Sequence, residues 1–198
     1  MEGFLWEDCE WDNVSGEGIY AGNNKADPRI GEYLIRDVTI RNCQFKNCGE
    51  GIGIAGCIGY EIIGNTILDT TAPDPPARRA AIAVGRNSVE GRIAGNTISR
   101  SRGSGMSLTV GDGPLVIEGN LIEEVGLGAG DPALKSNIYG LRFTTGTEVG
   151  LIVRNNKFNN IKTAGIDISS NFVTNDRSAL IERLEQENEF VNCAGKVS

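Results

Sequence analysis

Short apolar runs at period two recur along the whole chain, separated by Asn and Gly. In one unit, Leu151 and Val153 alternate with polar neighbours, Phe158 and Ile161 follow a pair of asparagines, and Ile166 and Ile168 flank Asp167. Alternation over so few residues indicates strands, not helix. Aligned on Asn156-x-Phe158, the same core appears as Cys9-x-Trp11, Cys43-x-Phe45, Asn65-x-Ile67, Asn96-x-Ile98, Asn120-x-Ile122 and Asn188-x-Phe190. An apolar residue stands three positions before the first six of these, from Trp6 and Ile40 to Val153. A third strand follows each core, such as Gly18-Ile19-Tyr20-Ala21, Gly51-Ile52-Gly53-Ile54 or Gly165-Ile166-Asp167-Ile168.

The unit therefore has three strands, and it repeats at a period of roughly 22 to 36 residues, the signature of a solenoid. Insertions fall between strands and never inside them, as loops on a stacked scaffold allow. The expectation is an all-β, three-sheet parallel solenoid of about six to seven rungs, in one domain over residues 1–198. Ile19, Ile52, Ile82, Met106, Leu141 and Ile166 should form one internal column on six first-sheet strands. The residue before each core is Asp8, Asn42, Gly64, Gly95, Gly119, Asn155 or Glu187, and Asn, Asp and Gly tolerate a left-handed bend. Asn65, Asn96 and Asn120 should stack in neighbouring rungs and hydrogen-bond along the axis. Arg177 to Glu187 carries the one helix-like pattern and fits the strand register poorly; a short capping helix is one reading of it, not the preferred one.

On these repeats the chain resembles the right-handed parallel β-helix proteins of the pectate-lyase and polygalacturonase superfamily. The resemblance spans nearly all residues. It implies that the Gly-Ile-x-apolar strands form the first sheet, whose outer face is the substrate groove, and that an extended polysaccharide is the partner. It also implies carbohydrate-active chemistry, as a glycoside hydrolase or polysaccharide lyase, and an extracellular or cell-surface location. The same superfamily holds tailspike and adhesin segments, so a non-catalytic glycan-binding or structural module is the alternative.

Composition narrows the chemistry. The net charge of −7 argues against a nucleic-acid partner. No apolar run approaches the length that spans a bilayer, and no secretory signal opens the chain. The five cysteines match no metal spacing; Cys9 and Cys43 fall on the Asn-ladder position and Cys48 and Cys193 on an inward column, so they read as buried thiols. The absence of His removes His-dependent nucleophiles and His-ligated metals. The chain opens and stops inside a rung, which predicts either a homo-oligomer or flanking segments of a longer protein covering the ends.

Residues 22–31, 85–90, 111–114, 144–150 and 169–178 follow first-sheet strands, while 70–79 and 126–137 precede them, so both sets should wall a groove. Its floor reads Tyr20, Gly53, Ala83, Ser107, Arg142 and Asp167, and the strand entrances read Glu17, Glu50, Ala80, Ser104, Tyr139 and Ala164. Glu17 and Glu50 stand in near-copied Gly-Glu-Gly-Ile segments, one strand spacing apart, and are the candidate acid–base pair. Two turn glutamates pointing into water are the plainer reading, and a Ca²⁺ bridging both carboxylates is a rival. The family's His and Arg-x-Lys signature have no counterpart here. Tyr20, Ser107, Tyr139, Arg142 and Asp167 are the candidate substrate contacts, the last two a clamp for a charged substrate or simply a surface ion pair. Arg79 and Arg102, in a cluster with Arg78 and Arg100, are further substrate candidates for acidic groups. On the second sheet, Glu61 with Arg92 and Glu118 with Arg154 read as cross-strand pairs.

Overall fold

The computed structural model describes residues 2–22, 35–71, 80–85, 88–111, 113–126 and 138–198. Its strands stack into three parallel sheets wound as a β-helix. The second sheet comprises β1 (Glu2–Glu7), β4 (Ile35–Arg41), β7 (Cys57–Ile63), β10 (Val89–Ala94), β13 (Leu115–Glu118) and β16 (Leu151–Arg154). The third comprises β2 (Glu10–Asp12), β5 (Gln44–Lys46), β8 (Thr66–Leu68), β11 (Thr97–Ser99), β14 (Leu121–Glu123), β17 (Lys157–Asn159) and β20 (Glu189–Val191). The first comprises β3 (Glu17–Gly22), β6 (Glu50–Ala55), β9 (Ala80–Val84), β12 (Ser104–Thr109), β15 (Leu141–Thr147), β18 (Ala164–Ile168) and β21 (Gly195–Val197). Strand β21 makes seven first-sheet strands where the sequence predicted six. A short β19 (Phe172–Val173) adds to β15 beside the sheet.

The predicted internal column is present. Ile19, Ile52, Ile82, Met106, Leu141 and Ile166 pair in register, each buried, and Val197 of β21 continues the line. A second column, Trp11, Phe45, Ile67, Ile98, Ile122, Phe158 and Phe190, comes from the third sheet. It is aromatic at both ends, where Trp11 stacks on Phe45 at 4.8 Å and Phe158 on Phe190 at 5.2 Å.

These two columns explain the glycine that opens most first-sheet strands. A Cβ on Gly18 would lie 2.6 Å from the Phe45 ring, one on Gly105 2.7 Å from Ile122, and one on Gly140 2.6 Å from Phe158. Gly51 and Gly165 are equally crowded, by Ile67 and Phe190. None of the five has a positive φ, so space between two inward columns, not backbone freedom, demands glycine there.

The asparagine ladder is longer than the three predicted members. Asn65, Asn96, Asn120, Asn156 and Asn188 stack through consecutive rungs, all buried. Each of the last four turns its Oδ1 to accept from both the backbone N–H and the Nδ2 of the one before, at 2.8–3.0 Å. Each Nδ2 also donates to a second-sheet carbonyl of the preceding rung, such as Ile40, Ile62 or Ile93. Cys43 occupies the ladder position before Asn65, and its thiol donates to the Trp6 and Arg41 carbonyls instead.

The bend before the ladder is left-handed at Asp8, Asn42, Gly64, Gly95, Gly119 and Asn155, as predicted. Glu187 departs from this, because it ends α1 (Arg177–Glu187). That helix forms where a seventh second-sheet strand would follow β16. Asp176 caps it, accepting from the Ala179 N–H at 3.0 Å, and Leu180 and Leu184, four apart on one face, are buried. The Glu187 carbonyl takes the Asn155 N–H at 2.6 Å, closing the end of the sheet at the ladder. The five thiols are free; Cys43, Cys48 and Cys57 are buried, and Cys9 and Cys193 half-buried. Burial pushes the Cys57 thiol up to about 11, which keeps it protonated and unreactive.

Replacing Ile82 by Ala should destabilise the protein by roughly 2–5 kcal/mol through the cavity it leaves. Asn96→Ala should cost on the order of 2–5 kcal/mol as well, although it removes little apolar area, because it strands buried donors and carbonyls on both neighbouring rungs. Urea unfolding of both variants beside the wild type checks the pair.

Candidate functional site

Strand pairing aligns the predicted floor. Tyr20, Gly53, Ala83, Ser107, Arg142 and Asp167 form one outward file across the first sheet. Each entrance residue stands three positions ahead of its floor residue, and where the side chains are long enough they fold onto it. The Glu50 carboxylate reaches Gly53: a Cβ there would sit 3.1 Å from Glu50 Oε1 and 2.9 Å from the Tyr20 ring. The missing side chain of Gly53 thus makes room for Tyr20 to lie across the sheet beside the carboxylate. Likewise the Arg142 guanidinium stands 5.5 Å over the Tyr139 ring, a cation–π contact.

Glu17 and Glu50 are direct register partners on β3 and β6. They differ in setting: Glu50 is 7% exposed, whereas Glu17 is half-buried. Tyr20 keeps 45% of its surface open. Its hydroxyl is held above the ordinary phenol range, first by partial burial, then by the neighbouring Glu17, Cys57 and Glu50.

At the opposite end Arg142 Nε lies 3.0 Å from Asp167 Oδ2. That nitrogen is shut off from solvent and its N–H is not aligned on the oxygen, so Coulomb attraction carries the pair. Asp167 also accepts from the Ser198 hydroxyl at 3.2 Å. Burial raises its carboxyl above the usual range, outweighing the pull of Arg142, Ser198 and Arg177 in the other direction. The Tyr139 hydroxyl is raised too, by burial and by Asp167, against the opposing charge of Arg142.

Ser107 is half-buried between Ala83 and Arg142. Ser104, by contrast, turns inward and accepts the Tyr139 N–H at 3.1 Å. Behind it the Thr70 and Ser101 hydroxyls meet at 2.7 Å in the interior. Beside the Arg142 end, residues 144–150 and 169–178 form a joined wall. Gly146–Thr147 pair with β19, and Glu148 accepts from the Thr174 hydroxyl at 2.6 Å and the Asn175 N–H at 3.1 Å. Arg177 fastens the turn by donating to the Ile168 carbonyl at 2.5 Å. Most of the other predicted wall segments lie outside the described residues.

Of the predicted basic cluster, two members are described. Arg100 is bound to Asp69 by two bonds of 2.6 and 2.8 Å at the far corner of the third sheet, so its charge is taken. Arg102 is exposed, and Arg78 and Arg79 lie outside the described residues. On the second sheet Arg92 turns from Glu61 to Glu118, which also takes Arg154, giving a three-charge row at 3.0 and 2.9 Å. As to Ca²⁺, no three acidic, Cys or His side chains converge among the described residues. Two glutamates fall well short of the six to eight oxygens the ion takes, so they do not make a calcium site by themselves.

Sequence reasoning missed the second left-handed corner of each rung, at Asn13, Asn47, Asp69, Arg100, Glu124, Asn160 and Asn192. Asn or Asp at five of the seven was the available signal. It also missed the contact of Tyr20 with Gly53, which requires knowing which rungs are neighbours.

Because burial raises Asp167 in the folded protein, its contribution to stability is greatest below the ordinary carboxylate pKa and is lost as pH rises through the folded value. Asp167→Asn removes that titration. The melting temperature of the variant relative to wild type should therefore move in its favour as pH is raised across that window, as a pH series of thermal melts would register.

No curated protein matches the chain. Among solved structures, a trypsin-treated form of QnrB1, a plasmid-mediated fluoroquinolone resistance protein, is 13% identical, with 90% of this chain and 98% of that chain covered and a TM-score of 0.15. A score so low does not establish a shared shape. The family model described as right handed beta helix region matches residues 3–179. With three parallel sheets stacked around one core, the chain belongs to the right-handed β-helix family.

Proposed function

We propose that this β-helix binds an extended glycan across the outer face of the first sheet and cleaves it with Glu17 and Glu50. The observation that carries the reading is the direct pairing of these two glutamates on β3 and β6, beside the open ring of Tyr20. Strand spacing puts the two backbones about 5 Å apart, and carboxyls at about that separation serve retaining glycosidases. One carboxyl in its acid form protonates the leaving oxygen, and the other, ionised, attacks the anomeric carbon; water then releases the glycosyl group, and the first residue accepts its proton. Small floor residues at Gly53, Ala83 and Ser107 leave room for sugar rings, and the Tyr20 face suits stacking against their C–H faces.

The burial of Glu50 favours a second reading, a groove that binds glycan without cutting it, since only 7% of that residue is open to an incoming bond. Product release from a polysaccharide panel decides between them. On the catalytic reading, Glu17→Gln and Glu50→Gln each lower turnover by at least about 100-fold, the scale of general acid–base effects, while binding and folding persist. Binding with no product release from the wild type supports the second reading. Unchanged turnover in both variants removes the pair from the mechanism.

A further inference from the structure

We infer that Cys9 and Cys43 are a reversible modification site, two thiols that close into a disulfide and lock the first two rungs together. The inference stands apart from the glycan reading and needs no ligand in the groove.

The ladder corner places the pair. Cys9 and Cys43 occupy the same corner of successive rungs, each directly after a left-handed residue, Asp8 at φ 54° and Asn42 at φ 56°. Strands β2 and β5 follow in parallel register, Glu10 beside Gln44, and the Gln44 N–H donates to the Cys9 carbonyl at 2.8 Å. Strand spacing therefore sets the two Cα atoms about 4.8 Å apart, inside the roughly 4.4–6.8 Å that a disulfide spans. The Cys43 sulfur lies 3.6 Å from the Trp6 carbonyl oxygen, which belongs to the Cys9 rung. It faces both the backbone N–H and the thiol of Cys9. No other two of the five cysteines are neighbours of this kind. Cys57 pairs with Ile35, while Cys48 stacks next to Val14 and Cys193 next to Ile161.

The two thiols differ in access. Cys43 is 1% exposed, whereas Cys9 is half-buried. Burial, above all, holds the Cys43 thiol above its usual range, with the Cys9 N–H pulling the other way. Exchange with a small disulfide such as oxidised glutathione therefore begins at Cys9. The Cys9 thiolate attacks one glutathione sulfur, forms a mixed disulfide and expels a glutathione thiolate. The Cys43 thiolate then attacks the Cys9 sulfur and expels the second. One S–S bond forms and one breaks, and the two cysteine protons end on two glutathione thiols. Excess reduced glutathione runs both steps backwards.

The bond does covalently what the asparagines further along do by hydrogen bonding. Before it forms, the two thiols make only weak S–H contacts, from Cys9 to the Glu7 carbonyl at 3.2 Å and from Cys43 to that of Arg41 at 3.3 Å. The loop it closes contains β2, β3 and most of β4, so it ties down the strand that carries Glu17 and Tyr20.

Incubating the intact protein with oxidised glutathione, alkylating the remaining thiols in denaturant and mapping peptides without reductant reads the bond directly. The expected product is lighter by two hydrogens before alkylation, with Cys9 and Cys43 in one linked peptide pair and the other cysteines alkylated. Its melting temperature should exceed that of the reduced protein by roughly 4–10 °C, and dithiothreitol should restore the lower value. Cys43→Ser should stop at the Cys9–glutathione adduct. Cys9→Ser should take up glutathione at Cys43 at least about tenfold more slowly, because that sulfur is enclosed. Cys9 and Cys43 both alkylated after oxidation, a linkage between another pair, or a linked protein no more heat-resistant than the reduced one overturns the inference. Mapping and melts use the wild type alone, so they decide the matter even where a variant does not fold.

Discussion

Each rung makes its backbone hydrogen bonds to the rungs above and below, so everything else in the molecule depends on neighbouring rungs keeping register. The asparagine ladder locks that register where it is most exposed to slippage, at the corner between the second and third sheets. The ladder amides from Asn65 to Asn156 are each bound on both sides and to a carbonyl, in a buried interior. A slip by one residue would turn the isoleucine columns outward and break the ladder in the same step. Loop length varies freely under this constraint because loops lie outside it.

The interior is narrow, and that narrowness sets composition at the corners. Where first- and third-sheet columns meet, glycine at positions 18, 51, 105, 140 and 165 is the only residue that leaves space for the facing Phe or Ile. At the outer corner the backbone turns left-handed even at Arg100 and Glu124, where the conformation costs roughly 1–2 kcal/mol. For Arg100 the bidentate pair with Asp69, the same corner one rung earlier, offsets part of that strain.

The groove inherits its chemistry from the same stacking. The residue that enters each first-sheet strand lies three positions ahead of a floor residue, so Tyr139, just before β15, shelves Arg142, and Glu50 reaches to Gly53. Register then carries Arg142 onto Asp167 and Glu17 onto Glu50 from the neighbouring rungs. One end of the floor is an internally neutralised ion pair and the other is acidic with an open aromatic ring. The three middle positions between them are small.

The solenoid, its three sheets, the inward isoleucine column and the first left-handed corner were all legible in the sequence. Each follows from a local period, and strands buried on one face must alternate. The outward file was legible too, since alternation fixes the face that a residue occupies. Three features waited on the folded chain. The helix at Arg177–Glu187 replaces a strand because Leu180 and Leu184 find a buried seat at the sheet end, which its local helix-like pattern alone did not decide. The partner of each arginine depended on which carboxylate the rung above or below presented, so Arg92 went to Glu118 and Arg100 left the groove for Asp69. Register alone placed Glu17 and Glu50 opposite one another, but the tilt of Tyr20 over a bare Gly53, and the near-complete enclosure of Glu50, came from packing between rungs separated by more than thirty residues. Sequence periodicity reports which way a side chain points; what it meets there is a property of the stacked neighbours.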